Sequence, residues 1–157
     1  PQQSIIYHFS YKGLLYIGPS GCIYRKEYFD KLCGFDPQFK VAADYHFNIR
    51  AASQNNIVLF NRDLTWWRQH EGQEIINSNR NNDYIILNYK IHNQLIPQAT
   101  IDNQMTKKIL YNNQILMARR LIRMILKFQF KNVSKIIAST KFPAKYFFVA
   151  FLPTYNI

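Results

Sequence analysis

Val41-Ala42-Ala43-Asp44-Tyr45-His46-Phe47-Asn48-Ile49-Arg50 decides how the rest of the chain is read. An acid opens a helical run in which Phe47 and Ala51 fall on one face and Arg50 on another. At a helix start the Asp44 carboxylate can accept a backbone N–H of the first turn, a cap worth about 1 kcal/mol. The same placement holds it rigid and ionised, as a general base must be. Just upstream, Arg25 to Cys33 sets Tyr28, Phe29 and Leu32 on one helical side, and Gly34 stands at the expected left-handed C′ position. Asp36-Pro37 then breaks the helix, because the proline ring disfavours helical backbone at the residue before it. Downstream, Ile57-Val58-Leu59-Phe60 reads as a buried strand after the Asn55-Asn56 turn. Leu64-Thr65-Trp66-Trp67-Arg68 reads as a second strand, whose two tryptophans would point to opposite faces.

Working outward, residues 1–19 hold two short apolar runs, Ser4 to Phe9 and Leu14 to Ile17, which predict a strand or extended lead-in. Cys22-Ile23-Tyr24 predicts a short buried strand. Residues 74–82 are polar and asparagine-rich, and read as a loop able to act as a lid. From Asp83 a helical pattern places Tyr84, Leu87, Ile91 and Leu95 on one stripe until Pro97 stops it. A longer helix is predicted from about Asp102 to about Phe130, with Leu110, Met117, Leu121, Met124, Ile125 and Phe128 along one side. A further turn or two of helix follows at 133–139.

Hydrophobic content of 48% and aromatic content of 16% exclude wholesale disorder and suit one domain or one domain fragment with a tail. No leader is legible after Pro1, and Cys22 and Cys33 lack metal-ligand spacing, so they read as reduced thiols. The net charge of +11 is unevenly spread. Residues 1–102 carry ten Lys/Arg against nine Asp/Glu, whereas residues 103–157 carry ten Lys/Arg and no acid. Such a tail calls for an anionic partner, either nucleic acid or an anionic membrane surface. Tyr146 to Leu152 is too short to span a bilayer, which takes about twenty apolar residues, but suits the interfacial zone. The alternatives are packing of that run on the chain itself or on a second copy. Against nucleic acid, the tail aromatics do not alternate with the basic residues as a stacking platform would.

The ordered set Gly21-Cys-Ile-Tyr-Arg-Lys-Glu, Cys33-Gly-Phe-Asp-Pro, Ala43-Asp-Tyr-His-Phe-Asn-Ile-Arg and Trp67-Arg-Gln-His-Glu-Gly-Gln resembles the C-terminal half of a family-two glycosyltransferase. The resemblance implies an α/β chain: the C-terminal part of a GT-A, nucleotide-diphospho-sugar transferase fold, with a mainly helical extension. Residues 1–82 would be the acceptor-side half of the catalytic domain and residues 83–157 a helical basic tail apposed to membrane. Where that family has a double glycine this chain has Cys33-Gly34, and where it has an acidic pair this chain has Ala43-Asp44. The family's Asp-x-Asp motif occurs nowhere in the sequence, so the nucleotide-binding half is expected upstream of residue 1.

By that resemblance the activity is inverting transfer from a nucleotide-sugar donor to a glycan acceptor hydroxyl in polysaccharide synthesis, with no turnover by this fragment alone. Asp44 is the implied catalytic base. Trp66 and Trp67 are implied acceptor contacts, and Arg68 and His70 lie near the diphosphate, His70 also being a candidate metal ligand. A divalent magnesium or manganese ion is implied for the complete enzyme and none for this fragment. The implied location is the cytoplasm, on the inner face of the membrane. A noncatalytic basic binding module is the competing expectation.

Overall fold

The computed structural model describes residues 2–11, 13–60, 65, 70, 71, 73, 76 and 82–155. Among them the ordered elements are all helical: α1 (Gln2–Tyr11), α2 (Lys26–Lys31), α3 (Ala43–Gln54), α4 (Asp83–Leu95), α5 (Asn103–Leu126), α6 (Phe130–Thr140) and α7 (Lys145–Phe148). Short 3₁₀ turns sit at Pro19–Gly21, Pro37–Ala42 and Ile96–Gln98.

This overturns the α/β expectation, since no strand or sheet occurs among the described residues. The reason is visible at each predicted strand. A strand needs a neighbour to take its backbone hydrogen bonds, and a β-leaning composition alone does not supply one. Ser4 to Phe9 is instead helical and buries Ile5 and His8. Ile23 is 95% exposed, and Val58 and Phe60 are 78% and 72% exposed, so neither apolar run is a core strand. Trp66, Trp67 and Arg68 lie outside the described residues, as does most of the proposed 74–82 lid.

α3 is the hub of the first half. One face buries Tyr45, Ile49 and Ala52, and the opposite face buries Phe47. Phe47 sits in an aromatic cage, with the rings of Tyr24, Phe29 and Phe35 at 5.0, 5.0 and 5.5 Å. Asn48, also buried, uses its whole amide: Nδ2 donates to the carbonyls of Leu15 and Ile17, and Oδ1 accepts from the Tyr24 hydroxyl at 2.7 Å. The loop 13–17 is thereby pinned to α3.

α2 ends in a two-bond C-cap, Cys33 N–H to Asp30 C=O and Gly34 N–H to Phe29 C=O, both 2.9 Å. The expected left-handed glycine is displaced by one position: Cys33 takes the C′ place at φ 58°, and Gly34 follows at φ 59°. Gly34 is still required, because a β-carbon there would stand 2.8 Å from the Phe29 ring. Arg50 Nη2 donates to the Leu32 carbonyl and completes this cap. Arg50 is thus a helix-end clamp.

α4 joins two cores. Its stripe of Tyr84, Leu87, Ile91 and Leu95 packs on the first, with Ile5, Leu15, Phe39, Tyr45 and Ile49, as periodicity predicts. Ile86 packs on the second, with Met117, Leu121, Met124, Val133 and Ile136. Residues on both sides of position 82 thus share a core. α5 starts with Asp102 as N-cap, its Oδ1 accepting from Met105 N–H at 2.8 Å. It stops at Leu126, short of the predicted end, and chain reversal occurs at Phe128 with φ 57°. Phe128 N–H bonds Ile125 C=O and Gln129 N–H bonds Met124 C=O, the same two-bond cap with a phenylalanine where glycine is usual. Phe128 thereby leaves the predicted stripe for the surface, and Ile125, still within the last helical turn, is exposed too.

The last segment packs in part on α5. Tyr146, Phe147 and Ala150 join the second core, whereas Phe148 and Phe151 are 86% and 85% exposed. Arg119 Nε and Nη2 donate to the carbonyls of Ala150 and Leu152, and Asn112 exchanges two hydrogen bonds with the Tyr155 backbone. Among the described residues no helix is long and apolar enough to cross a membrane.

Candidate functional site

The Pro37–Ala42 turn delivers the chain into α3. Asp36 caps it, Oδ1 accepting from Gln38 N–H at 2.9 Å. Ala42 is the N-cap of α3, so Asp44 is the second residue inside the helix and not the cap itself. Its Oδ1 nonetheless accepts a first-turn amide, that of Tyr45, at 2.7 Å. The carboxylate is half-buried and borders the Gly18 turn: a β-carbon on Gly18 would stand 3.8 Å from Oδ2. Burial raises the Asp44 pKa, partly opposed by the backbone amides that favour the charged form. Tyr24 and Tyr84 are close enough to feel this charge, and burial, as the larger cause, together with that charge raises both phenols.

His70 is exposed, in a turn where its carbonyl accepts Gln73 N–H. Asp44 is the sequence-named site residue whose surroundings are described in full. Among the described residues no three His, Cys, Asp or Glu side chains gather as a metal-holding group.

Two features had no sequence signal. The first is a cavity of ≈ 440 Å³, whose lining includes Cys33, Asp36, His46, Arg50, Gln94 and Gln98. It does not include Asp44, because His46 and Arg50 project from a different side of α3. His46 lies flat on Phe39 at 3.8 Å, and its pKa is lowered by burial and then by Arg50.

The second is a buried polar relay, His8 to Tyr45 to His92. Leu15 N–H donates to His8 Nδ1 at 3.0 Å, so the neutral ring carries its proton on Nε2. That proton is given to Tyr45 Oη at 2.9 Å, and the Tyr45 hydroxyl donates to His92 Nε2 at 2.6 Å. Burial lowers the pKa of His8 to about 4 and of His92 to about 3, the latter helped by His8. Both rings are neutral at pH 7 and hold α1, α3 and α4 together. The three residues are too far apart in sequence for periodicity to associate them. Comparison of the chain with protein-family models, curated proteins and solved structures finds no match.

Proposed function

We propose that this chain supplies the general base of a sugar-transfer site whose donor-binding wall comes from other polypeptide. The observation that carries this reading is the Asp44 carboxylate. It is anchored through Oδ1 to the first turn of α3, half withdrawn from water, with Oδ2 toward the Gly18 turn. A base so placed is preorganised, and its raised pKa makes it a better proton acceptor than an exposed aspartate. The order of motifs around it, similar to that of family-two glycosyltransferases, points to the substrate class. The reading rests on that carboxylate and that order.

In the proposed step Asp44 takes the proton of an acceptor hydroxyl. The hydroxyl oxygen bonds the anomeric carbon of the donor sugar as the bond to the nucleoside diphosphate breaks, and configuration inverts. Oδ1 is held by Tyr45 N–H, so Oδ2 is the oxygen assigned to the proton. Tyr24 and Tyr84, which feel the Asp44 charge, keep their protons, since burial raises both phenols.

The test is Asp44→Asn in the complete enzyme, assayed with a panel of nucleotide sugars and radiolabelled acceptor glycan. Loss of transfer by about a thousandfold or more, with unchanged folding and donor binding, is expected for removal of a base. Transfer at the parental rate would reject the assignment.

A further inference from the structure

Seven consecutive residues, Ile125-Leu126-Lys127-Phe128-Gln129-Phe130-Lys131, are all exposed at the corner between α5 and α6. Four are large and apolar, and Leu126, Phe128 and Phe130 are 73%, 82% and 57% exposed. The two phenyl rings lie edge to face at 6.1 Å, so they form one projection. Phe128 occupies the left-handed C′ place, a conformation that favours glycine. The chain thus carries a bulky ring at the one position of this corner where having no side chain would fold best.

Around the projection the charge is of one sign. Arg123, Lys127 and Lys131 are exposed, and none of them forms an ion pair among the described residues. The 55 residues from 103 to 157 include no acid. The outer face of α6 is polar, with Lys131, Ser134, Lys135 and Ser139 exposed, so the apolar projection does not continue along α6.

We infer that this corner is a membrane-insertion wedge for an anionic bilayer surface. The chemistry matches the two layers of that surface. Apolar rings at a convex turn reach below the headgroups, while lysine and arginine stems lie along them and leave their charges at the phosphates. Each such cation adds to the attraction by the negative surface potential. Nucleic acid would take the cations but offers nothing to Leu126. The inference stands apart from the sugar-transfer reading, and either can fail alone.

The discriminating variant is Phe128→Gly combined with Phe130→Ser. It removes the wedge, while glycine at position 128 favours the chain reversal, so folding is retained. Wild type is expected to co-sediment with vesicles of phosphatidylcholine and phosphatidylglycerol, and weakly with phosphatidylcholine alone. The variant should bind the mixed vesicles at least about tenfold less, with unchanged helix content. Lys127→Glu with Lys131→Glu should abolish the preference for phosphatidylglycerol. Phe128→Trp should gain emission that brominated acyl chains quench, beyond the background of Trp66 and Trp67. Equal vesicle binding by the glycine variant, or absence of that added quenching, overturns the inference. So does tighter binding to duplex DNA that the variant leaves intact, or a variant that only converts a dimer to monomer in sedimentation velocity.

Discussion

Mild acid should destabilise this protein, and the His8–Tyr45–His92 relay sets the size of the effect. An unfolded histidine titrates near 6.5, whereas His8 and His92 are held at about 4 and about 3. A depressed histidine pKa stabilises the neutral folded form. That stability is whole above the unfolded pKa and is lost as pH falls through the window from about 6.5 towards the folded value. At about pH 5 each unfolded ring is almost fully protonated and neither folded ring is, which amounts to about 2 kcal/mol per histidine and about 4 kcal/mol for the pair. Small domains have only about 5–15 kcal/mol of stability in all. The hydrogen bonds give a local reason beside burial: a proton on His8 Nδ1 would face the Leu15 N–H donor, and one on His92 Nε2 would face the Tyr45 hydroxyl. The assay is urea unfolding followed by circular dichroism at steps from about pH 7.5 to about pH 5, where the midpoint should fall steeply with little change in slope. His8→Gln should lower stability at neutral pH but remove about half of the pH dependence. The reasoning is refuted if the midpoint is flat across that window, or if NMR titration finds His8 and His92 with ordinary pKa values.

Four further outcomes follow from single contacts. Cys33→Gly should raise stability by about 0.5–1 kcal/mol in urea unfolding, because the C′ residue sits at φ 58°. Asn48→Leu should cost about 3 kcal/mol by the same measure, since it strands the Leu15 and Ile17 carbonyls and the Tyr24 hydroxyl. Arg119→Met removes both donors that hold the Ala150 and Leu152 carbonyls, and should speed amide exchange across 149–155 while leaving α3 protected. On the proposed sugar-transfer reading, the acid limb of the rate profile of the complete enzyme should lie higher than for an exposed aspartate. Activity is lost as pH falls through the raised Asp44 pKa, and Asp44→Glu should shift that limb where Asp44→Asn removes the activity.

Local patterns carried the helices and their ends. The α4 stripe, the start of α5 at about Asp102 and the break before Pro97 lie where spacing and backbone chemistry place them, while the C′ position of α2 falls one residue earlier, on Cys33. These depend on residues three or four apart, which the chain presents directly. Asp44 was likewise legible as a carboxylate in a helical first turn, though one turn position was misjudged: Ala42 caps, and Asp44 is held from inside.

The strands were misread for a different reason. Ser4 to Phe9 and Ile57 to Phe60 are β-leaning, but strand formation depends on a partner strand, and helix α1 forms by burying Ile5 and His8 against α3 and α4. The exposed corner was also hidden. Periodicity carries the α5 stripe on through Ile125 and Phe128, but the helix ends at Leu126, the left-handed turn at Phe128 takes its ring out of the stripe, and Ile125 in the last turn is exposed as well.

Sequence alone determined the helical second half, the segregation of charge into residues 103–157 and the rigid placement of one carboxylate, because each follows from near neighbours or from composition. Tertiary structure decided that Arg50 closes the end of α2, that two distant histidines meet on one tyrosine and that Phe128 faces outward. Each of those turns on which helices pack together, and burial and hydrogen-bond partners exist only once they do.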